Sequence, residues 1–417
     1  MTNFSFFFTP KYPKGDFEKY WLLLTPFRWT RITKANIFRF CAISGKPILK
    51  INNANKKYII KVGLNLILTI FAQKLKTMTK ILENISLKPY NTFGIDATAK
   101  YLCLYKQPTD LQYLINEGPL KRDEEMIILG GGSNQLFTGN FDGIVVHPVN
   151  GDITIIKETA DSVWLKAGAG LEWDKLVAYA VENGYGGIEN LSNIPGNVGA
   201  APVQNIGAYG VEAKDTIVAV HLVSFDDGLE KNILNEDCEF GYRTSIFKTR
   251  LKNRYLVDSV TFKLSKKPEF TLHYGSIKEE LDKIGEVNLS TIRKTIIKIR
   301  ESKLPDPKII GNGGSFFKNP VIPEIEAAAL IEKYPEIPTY KSESGTIKLA
   351  AGWLIEQCGL KGYTNESRTA GIHDKQALVL VNKGGATGKD IVDVAHLVQN
   401  KVFEKFDICL EPEVIIV

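Results

Sequence analysis

Residues 192–210 read SNIPGNVGAAPVQNIGAYG, and they hold four glycines, two prolines and three asparagines without a single charge. A surface loop of this length is normally more polar, so we expect it to be buried against another part of the protein. Two other glycine-rich turns precede it, GGGSN at 130–134 and GAG at 168–170. Each turn alone is more typical of a tight hairpin than of a nucleotide site. Together they favour a site for a large dinucleotide, because backbone N–H groups in such turns form anion-binding nests.

The two standard nucleotide-binding motifs are absent. The dinucleotide fingerprint G-x-G-x-x-G fails after Gly130, because Gln135 stands where the last glycine is required. It fails again in the second turn, where Trp173 takes that place. The segment GGATGKD at 384–390 is one residue shorter than a P-loop, and Asp390 replaces the hydroxyl that binds magnesium. A bound dinucleotide would therefore need a different fold.

The rest of the chain predicts a mixture of strands and helices. Strands are predicted at 126–129, 143–149, 162–167, 216–225, 255–263 and 377–381. Apolar residues at helical spacing predict helices at 171–183, 324–333, 348–358 and 388–406. The last stretch, 409–417, alternates and is predicted to end the chain as a strand. After Pro305-Asp306-Pro307 the pattern changes to alternating helix and strand, which indicates a separate domain.

The composition is typical of a soluble globular protein. Of 417 residues, 44% are hydrophobic and 24% are charged, and this length suggests about two to four domains. No apolar run approaches the roughly 20 residues of a membrane-spanning helix. No group of histidines, cysteines or carboxylates has the spacing of metal ligands. The absence of a CxxC pair predicts a reduced, cytoplasmic protein without structural zinc, and the five cysteines are Cys41, Cys103, Cys238, Cys358 and Cys409.

Residues 1–77 differ from the remainder in charge. They carry 14 basic residues against two acids, a net charge of +12, whereas the other 340 residues carry 38 basic and 45 acidic residues, a net charge of −7. A basic arm is typical of nucleic-acid or membrane-surface binding, but Phe6–Phe8, Trp21 and Trp29 are unusual in a solvated tail. We favour the interpretation that Met78 is the natural start and that upstream sequence precedes it. A targeting or anchoring role and an accessory structural segment are the alternatives.

Eight segments, in order, carry a resemblance to one family. They are NTFGIDATA (91–99), GGGSNQLF (130–137), IPGNVGAAPVQNIGAYG (194–210), FGYRTSIFK (240–248), SKLPDPK (302–308), GNGGSFFKNP (311–320), LAAGWLIEQCGLKG (349–362) and LEPEV (410–414). With these segments, the chain from about Ile81 onward resembles the bacterial UDP-N-acetylenolpyruvoylglucosamine reductases, the flavoenzymes that complete UDP-N-acetylmuramate. Tyr274-Gly275 lies between Arg243 and Lys303, as in the longer subclass with a tyrosine-bearing substrate loop.

Two stretches depart from the family. Residues 1–77 have no counterpart in it, which favours the upstream-sequence interpretation. The terminal Ile415–Val417 lack the basic residue and short tail that the family often has.

The resemblance implies an α+β fold. It comprises an FAD-binding module of the vanillyl-alcohol oxidase (PCMH) type in two subdomains, and a C-terminal α/β substrate-binding domain. The family also implies non-covalently bound FAD, NADPH as hydride donor and a nucleotide-sugar acceptor. We expect a cytoplasmic monomer that binds neither nucleic acid nor a membrane. The expected division is a basic N-terminal extension at 1–77, subdomain 1 at 78–145 joined by the terminal strand 409–417, subdomain 2 with the substrate loop at 146–300, and the substrate domain at 301–408.

Three residues match the family's catalytic positions, and the chemistry explains their types. Hydride addition to an enolpyruvyl group leaves negative charge delocalised into the neighbouring carboxylate, and the planar fork of Arg243 suits that anion. Ser315 matches the proton donor, between glycines that allow close approach and phenylalanines that exclude water. Glu413 is costly in an apolar strand unless it is paired or functional, and it is expected to orient the substrate with Arg243.

The resemblance also implies two sets of binding residues. The substrate set comprises a lysine for a phosphate, a tyrosine for stacking and two amides, namely Lys303, Tyr274, Asn319 and Gln376. The FAD set follows the glycine-rich turns and comprises Asn91, Thr92, Gly130, Gly131, Gly132, Ser133, Asn134, Gly168, Gly170, Ile194, Pro195, Gly196, Gly199, Gly207 and Ala208.

Two other functions compete with the reductase. One is another FAD-linked oxidoreductase of the same superfamily, such as an oxidase of a small alcohol, but no histidine-linked flavin segment is evident. The other is a non-enzymatic protein that binds nucleic acid or a membrane through residues 1–77. A flavin spectrum would exclude the second of these.

Overall fold

The computed structural model describes residues 80–122, 124–274, 276–342 and 345–417. The basic stretch at 1–77, with its three interpretations, lies outside the described residues. Within the described ranges, no helix is long and apolar enough to cross a bilayer.

A four-stranded sheet forms the first part of the described chain. Its strand order is β1-β2-β5-β3, with β1 antiparallel to β2 and the other neighbours parallel. Most of β5 is buried because both faces of a parallel pair are covered, and the strand is accordingly a nearly continuous apolar run. The elements of this part are β1 (Lys80–Ser86), β2 (Thr98–Tyr105), α1 (Pro108–Asn116), β3 (Met126–Ile128), β4 (Gln135–Leu136) and β5 (Phe141–Pro148).

A five-stranded antiparallel sheet follows, in the order β11-β10-β12-β7-β6. Helix α2 buries Trp173, Leu176, Val177 and Ala180, whose spacing puts them on one face, and the Trp173 indole N–H donates to the Leu191 carbonyl. The predicted strands and helix of this part are confirmed. The elements are β6 (Ile153–Glu158), β7 (Ser162–Gly168), α2 (Trp173–Glu182), β8 (Gly207–Ala208), β9 (Val211–Glu212), β10 (Ile217–Ser224), β11 (Glu230–Leu234) and β12 (Tyr255–Ser265).

Two helices that the sequence analysis did not predict come next, α3 (Ile277–Ile284) and α4 (Leu289–Lys303). Asn288 begins α4 by accepting a hydrogen bond from the Thr291 amide at 2.9 Å. Isoleucines of both helices form a small hydrophobic core that also takes in Tyr209, from the end of the glycine-rich loop. This core holds the helix that ends at Lys303 against that loop.

The C-terminal part contains two three-stranded antiparallel sheets, β13-β18-β17 and β14-β16-β15. The predicted helices at 324–333 and 388–406 are confirmed with the same bounds. The elements are β13 (Gly311–Ser315), β14 (Val321–Pro323), α5 (Glu324–Lys333), β15 (Thr339–Lys341), β16 (Thr346–Leu349), α6 (Ala351–Gln357), β17 (Ala370–Ile372), β18 (Val379–Asn382), α7 (Gly388–Phe406) and β19 (Ile415–Ile416). Short 3-10 turns lie at Lys88–Tyr90, Pro119–Arg122, Glu189–Leu191, Val198–Ala200, Ala213–Asp215 and Asn235–Asp237.

Two predicted elements were wrong in extent. The helix predicted at 348–358 begins only at Ala351, because Lys348 and Leu349 pair across the sheet and Asn319 accepts a hydrogen bond from the Ala351 amide. The strand predicted at 409–417 is paired as a strand only at Ile415–Ile416, which lie parallel to β4. Pro412 adds an isolated bridge to Phe317.

The largest hydrophobic core runs through both ends of the described chain. It joins residues of the first sheet, such as Leu102 and Val145, to residues of the C-terminal part, such as Phe316 and Leu380. A second core lies between the five-stranded sheet and α2. The predicted division of the chain into domains stays a prediction. One hydrophobic core contains residues of three of the predicted segments, 78–145, 301–408 and 409–417.

Helices α2 and α4 are joined by an ion pair that also fixes the glycine-rich loop. Both Arg293 terminal nitrogens donate to Asp174, at 2.6 and 2.7 Å, and the Asn193 amide donates to the same carboxylate. Burial by itself raises the pKa of Asp174, but these hydrogen bonds outweigh it and lower the pKa below its usual range. A lowered pKa stabilises the folded state above the unfolded pKa, and that contribution is lost as pH falls through the folded value.

We therefore expect Asp174→Asn to lower the free energy of unfolding by about 1.5–3 kcal/mol at pH 7, since a half-buried Arg293 loses its charged partner. The difference from the parent should shrink as pH falls below about 4. Urea unfolding from pH 3 to pH 7 measures it. Asp226→Asn is the control, because Asp226 and Arg254 form an exposed pair and the cost should stay under about 1 kcal/mol. A difference for Asp174→Asn that does not depend on pH would contradict this account.

Candidate active site

The first and third glycine-rich turns face each other across a cleft of about 440 Å³. One wall is formed by 130–135 and the opposite wall by 194–197 and 199–201, and the end of the chain, 415–417, also contributes. The loop at 192–210 is mostly buried or half-buried, as predicted, and Pro195 and Ala200 are among its few exposed residues. The predicted FAD residues that line the cleft are Gly130, Gly131, Gly132, Ser133, Asn134, Ile194, Pro195, Gly196 and Gly199.

The turn at 130–134 has the properties of an anion-binding nest. None of its five backbone N–H groups donates a hydrogen bond to any of the described residues. Gly132 has φ +62°, and a Cβ there would lie 1.9 Å from the Tyr90 carbonyl oxygen. A Cβ on Gly131 would lie 2.8 Å from the Gly196 Cα. The glycines therefore allow both walls to approach closely, and the cleft fits a cofactor that carries a pyrophosphate.

Two predicted FAD residues, Asn91 and Thr92, do not line the cleft, and Thr92 holds the glycine turn in place. Thr92 donates from its hydroxyl to the Asn312 carbonyl at 2.6 Å, and its amide donates to Gly132 at 3.1 Å. Asn91 is buried, and its side chain bonds to the backbone of Leu87 and Ile95. Thr92 thereby joins the glycine turn to strand β13, which ends at Ser315.

Four other predicted FAD residues also lie outside the residues that line the cleft. The Gly168 amide donates to the Asp152 carbonyl and the Gly170 amide to the Asn150 carbonyl, so neither amide is free for a phosphate. Gly207 and Ala208 form β8, a short hairpin strand beside the cleft loop. The Gly207 carbonyl accepts a hydrogen bond from Arg243 Nη2 at 3.2 Å.

Arg243 and Glu413 form an ion pair. The Arg243 Nε lies 3.0 Å from Glu413 Oε1, and both side chains are largely buried, 23% and 11% exposed. The N–H on Nε is not aligned with the carboxylate, so Nε is buried without a hydrogen bond in the described structure. Arg243 has φ +55°, in a tight turn closed by bonds between Gly241 and Thr244. Such strain in a non-glycine residue is typical of functional sites.

Glu413 is held by the backbone on both sides. Its amide donates to the Phe316 carbonyl at 2.8 Å, and its carbonyl accepts from Asn134 Nδ2 at 3.1 Å. Asn134 Nδ2 also donates to Gln204 at 2.9 Å. Ser315 precedes Phe316 and is exposed, whereas Phe316 is fully buried. The structure therefore brings all three predicted catalytic residues to one region.

The four predicted substrate residues are placed in different ways. Tyr274 is 41% exposed and stacks on Tyr340, with ring centroids 6.4 Å apart and an interplanar angle of 17°. The side chains of Asn319 and Gln376 both lie beside the first residues of helix α6. The Asn319 side-chain oxygen accepts a hydrogen bond from the Ala351 amide, and Gln376 lies beside Gly352. Lys303 is exposed at the end of α4, and no contact joins it to the other three among the described residues.

Three lysines near the ion pair were not predicted as site residues. Lys248 donates to the Arg243 carbonyl at 3.2 Å, Lys318 pairs with Glu411 at 2.8 Å, and Lys348 lies 4.2 Å from the centre of the Tyr242 ring. Burial lowers the pKa of Lys248, and Lys318 lowers it further. Lys248 and Lys318 lie outside helices and strands and Lys348 lies in a short strand, and none has a local sign of such a role, so only the fold reveals this cluster. The part of the chain that the structure describes contains no group of three or more metal-ligating side chains.

The comparisons with known proteins agree with this geometry. Residues 306–417 match the family model for the UDP-N-acetylenolpyruvoylglucosamine reductase C-terminal domain, and 106–233 match an FAD-binding domain. The chain is 46% identical over 336 residues to a UDP-N-acetylenolpyruvoylglucosamine reductase of Chromobacterium violaceum, covering 80% of this chain and 98% of that one. It is 48% identical over 337 residues to the reductase of Amoebophilus asiaticus, with the same coverage.

The chain belongs to the UDP-N-acetylenolpyruvoylglucosamine reductase family. It is an FAD-dependent oxidoreductase, and the predicted fold class is confirmed. The crystal structure of the reductase from Thermus caldophilus has the same fold, with a TM-score of 0.57 at 24% identity, over 81% of this chain and 98% of that one.

Gly132 tests how this reductase holds its cofactor. Gly132→Ala should cause loss of FAD during purification, because the new Cβ meets the Tyr90 carbonyl and φ +62° costs about 1–2 kcal/mol for a residue with a Cβ. The ratio of flavin to protein absorbance measures the loss. Gly139→Ala is the matched control, since a Cβ there has no atom within 4 Å. A Gly132→Ala protein that keeps stoichiometric FAD would show that the turn is not the cofactor cradle.

Proposed function

We propose that this reductase converts UDP-N-acetylglucosamine enolpyruvate to UDP-N-acetylmuramate, a peptidoglycan precursor, with NADPH as the reductant. The ion pair of Arg243 with Glu413, surrounded by lysines and next to Ser315, carries the proposal. An enolpyruvyl group needs a cation at its carboxylate and a proton donor at the neighbouring carbon, and these residues supply both. The relatives named as reductases of this compound support the same substrate.

When bound, FAD would carry the hydride from NADPH to the enolpyruvyl double bond. The glycine turn at 130–134 and the loop at 194–201 would hold the cofactor, with its pyrophosphate at the unpaired N–H groups of the turn. Hydride adds to one carbon of the double bond, and the electron pair of that bond moves toward the carboxylate. The adjacent carbon then takes one proton.

Arg243 stabilises the anion that forms at the substrate carboxylate. Its Nη2 donates to Gly207, and its Nε faces Glu413, so Nη1 is left to donate to the substrate. Glu413 attracts the guanidinium through the ion pair at 3.0 Å, and two hydrogen bonds hold the backbone of Glu413 in place. This arrangement needs little reorganisation when negative charge develops.

Ser315 donates the proton. Its hydroxyl is exposed at the end of β13, and the buried Phe316 and Phe317 behind it exclude water from one side. A serine hydroxyl is a weak acid, but the carbanion it meets is strongly basic.

The nucleotide and sugar are bound by the remaining predicted residues. Lys303 neutralises a phosphate, Tyr274 stacks and donates a hydrogen bond, and the Asn319 and Gln376 amides contact the sugar. The protein acts as a monomer in the cytoplasm and binds neither nucleic acid nor a membrane.

The function is tested by two half-reactions on one sample. Under anaerobic conditions NADPH should bleach the flavin absorbance near 450 nm, and UDP-N-acetylglucosamine enolpyruvate should restore it with one equivalent of reduced product. Reduction without reoxidation by this sugar would contradict the proposed substrate and leave another flavin oxidoreductase of the superfamily.

Ser315 should matter only in the second half-reaction, since a carbon is protonated only there. Ser315→Ala should slow reoxidation by about 10²–10⁴-fold and leave reduction by NADPH within a few-fold of the parent. Ser315→Cys, which retains a transferable proton, should recover part of the loss. Stopped-flow absorbance at 450 nm separates the two steps. Equal slowing of both would indicate a flavin-positioning role instead.

A further inference from the structure

Lys348 lies in the middle strand of the β14-β16-β15 sheet, on the face that carries the stacked tyrosines. It is directly opposite Tyr340 in the strand register, so the two side chains share a face of the sheet. Tyr340 stacks on Tyr274, the predicted substrate tyrosine. The Lys348 ammonium is half-buried and 4.2 Å from the centre of the Tyr242 ring.

The same ring also contacts the catalytic arginine. The Arg243 guanidinium carbon is 5.8 Å from the centre of Tyr242, which precedes it in the chain. Two cations therefore lie next to one aromatic ring, a favourable but modest interaction for each of them. Burial lowers the pKa of Lys348, Glu212 opposes the shift, and Arg243 adds to it.

Lys348 differs from the other cations of the cluster in its partners. Arg243 has Glu413, Lys318 has Glu411, and Lys248 has the Arg243 carbonyl. For Lys348, the described residues provide no carboxylate at ion-pair distance. Glu212, the acid that acts on it, is already paired with Lys214 at 2.7 Å. A half-buried cation beside a second cation is unfavourable unless an anion joins them.

We propose that Lys348 binds the carboxylate of the enolpyruvyl substrate together with Arg243. The inference rests on the proposed function and adds a substrate-binding residue to it. The carboxylate is favoured over the diphosphate because Lys348 and Arg243 share the Tyr242 ring, whereas Lys303 lies on another element. The ammonium contacts the face of the Tyr242 ring and donates no hydrogen bond to a described residue, so N–H donors that point away from the ring are available to an anion.

The test compares two ligands that differ in this carboxylate. UDP-N-acetylglucosamine has the same diphosphate and sugar but no enolpyruvyl group. Both are titrated into the oxidised, FAD-loaded protein, where the flavin spectrum reports binding without turnover. Lys348→Met keeps the length of the side chain and its packing on Tyr242, and Lys348→Arg keeps the charge.

We expect Lys348→Met to raise the Kd of the enolpyruvyl sugar by about tenfold to a hundredfold, the effect of one charged hydrogen bond. The Kd of UDP-N-acetylglucosamine should change by less than about threefold. Lys348→Arg should recover part of the loss, and FAD content and melting temperature should stay at parent values. Lys333→Met is the matched control, since Lys333 also lies over a tyrosine, Tyr334 at 5.3 Å, and should change neither Kd.

Two results would overturn the inference. Equal weakening of both ligands by Lys348→Met would place Lys348 at the diphosphate or sugar, and no weakening of either would remove it from the site. Failure of the proposed function is distinguishable, because then the parent protein itself would not bind the enolpyruvyl sugar.

Discussion

The last residues of the chain lie between two other backbones, and the site depends on this placement. The Glu413 amide donates to Phe316, the Ile415 amide to Asn134 and the Val417 amide to Leu136. Alternate amides of one short segment thus join the end of the Ser315 strand to the glycine turn at 130–134 and the residues after it. These bonds fix the backbone of Glu413, whose carboxylate lies 3.0 Å from Arg243 Nε.

A second connection reinforces the first. Thr92 bonds to both the glycine turn and Asn312, and Asn382 donates to the Phe93 carbonyl at 2.8 Å. The hydrophobic core continues across the same boundary. The glycine turn at 130–134 and the Ser315 strand are therefore packed and hydrogen-bonded together, although more than 170 residues separate them in the chain. A preorganised site of this kind limits the reorganisation that hydride and proton transfer would otherwise require.

The sequence predicts those features that are encoded locally. The glycine turns, the uncharged loop at 192–210 and the helices with regular apolar spacing were all recognisable from their own residues. The limits of α6 were not, because Lys348 and Leu349 follow helical spacing but are drawn into a sheet by Val321 and Thr339. Helix α4 was missed although Ile292, Ile296 and Ile299 share a face, since charged residues separate them.

The candidate site likewise has residues that the sequence identifies and features that only the structure shows. The resemblance supplied Arg243, Ser315 and Glu413, and the structure brings them together. The resemblance could not show that the Gly168 and Gly170 amides are already bonded. Nor could it show that Lys348 shares the Tyr242 ring with Arg243 and has no acidic partner among the described residues. Those are properties of long-range packing, which no local pattern contains.

Hydrogen exchange at the end of the chain tests the central claim most directly. If the terminal segment is a fixed part of the site, the amides of Glu413, Ile415 and Val417 open only when the protein unfolds, and they should exchange as slowly as those of the core strand β5. Mass spectrometry or NMR on the native protein provides the rates. Exchange within seconds, as in a free C-terminal tail, would contradict the account, because Glu413 could not then hold Arg243.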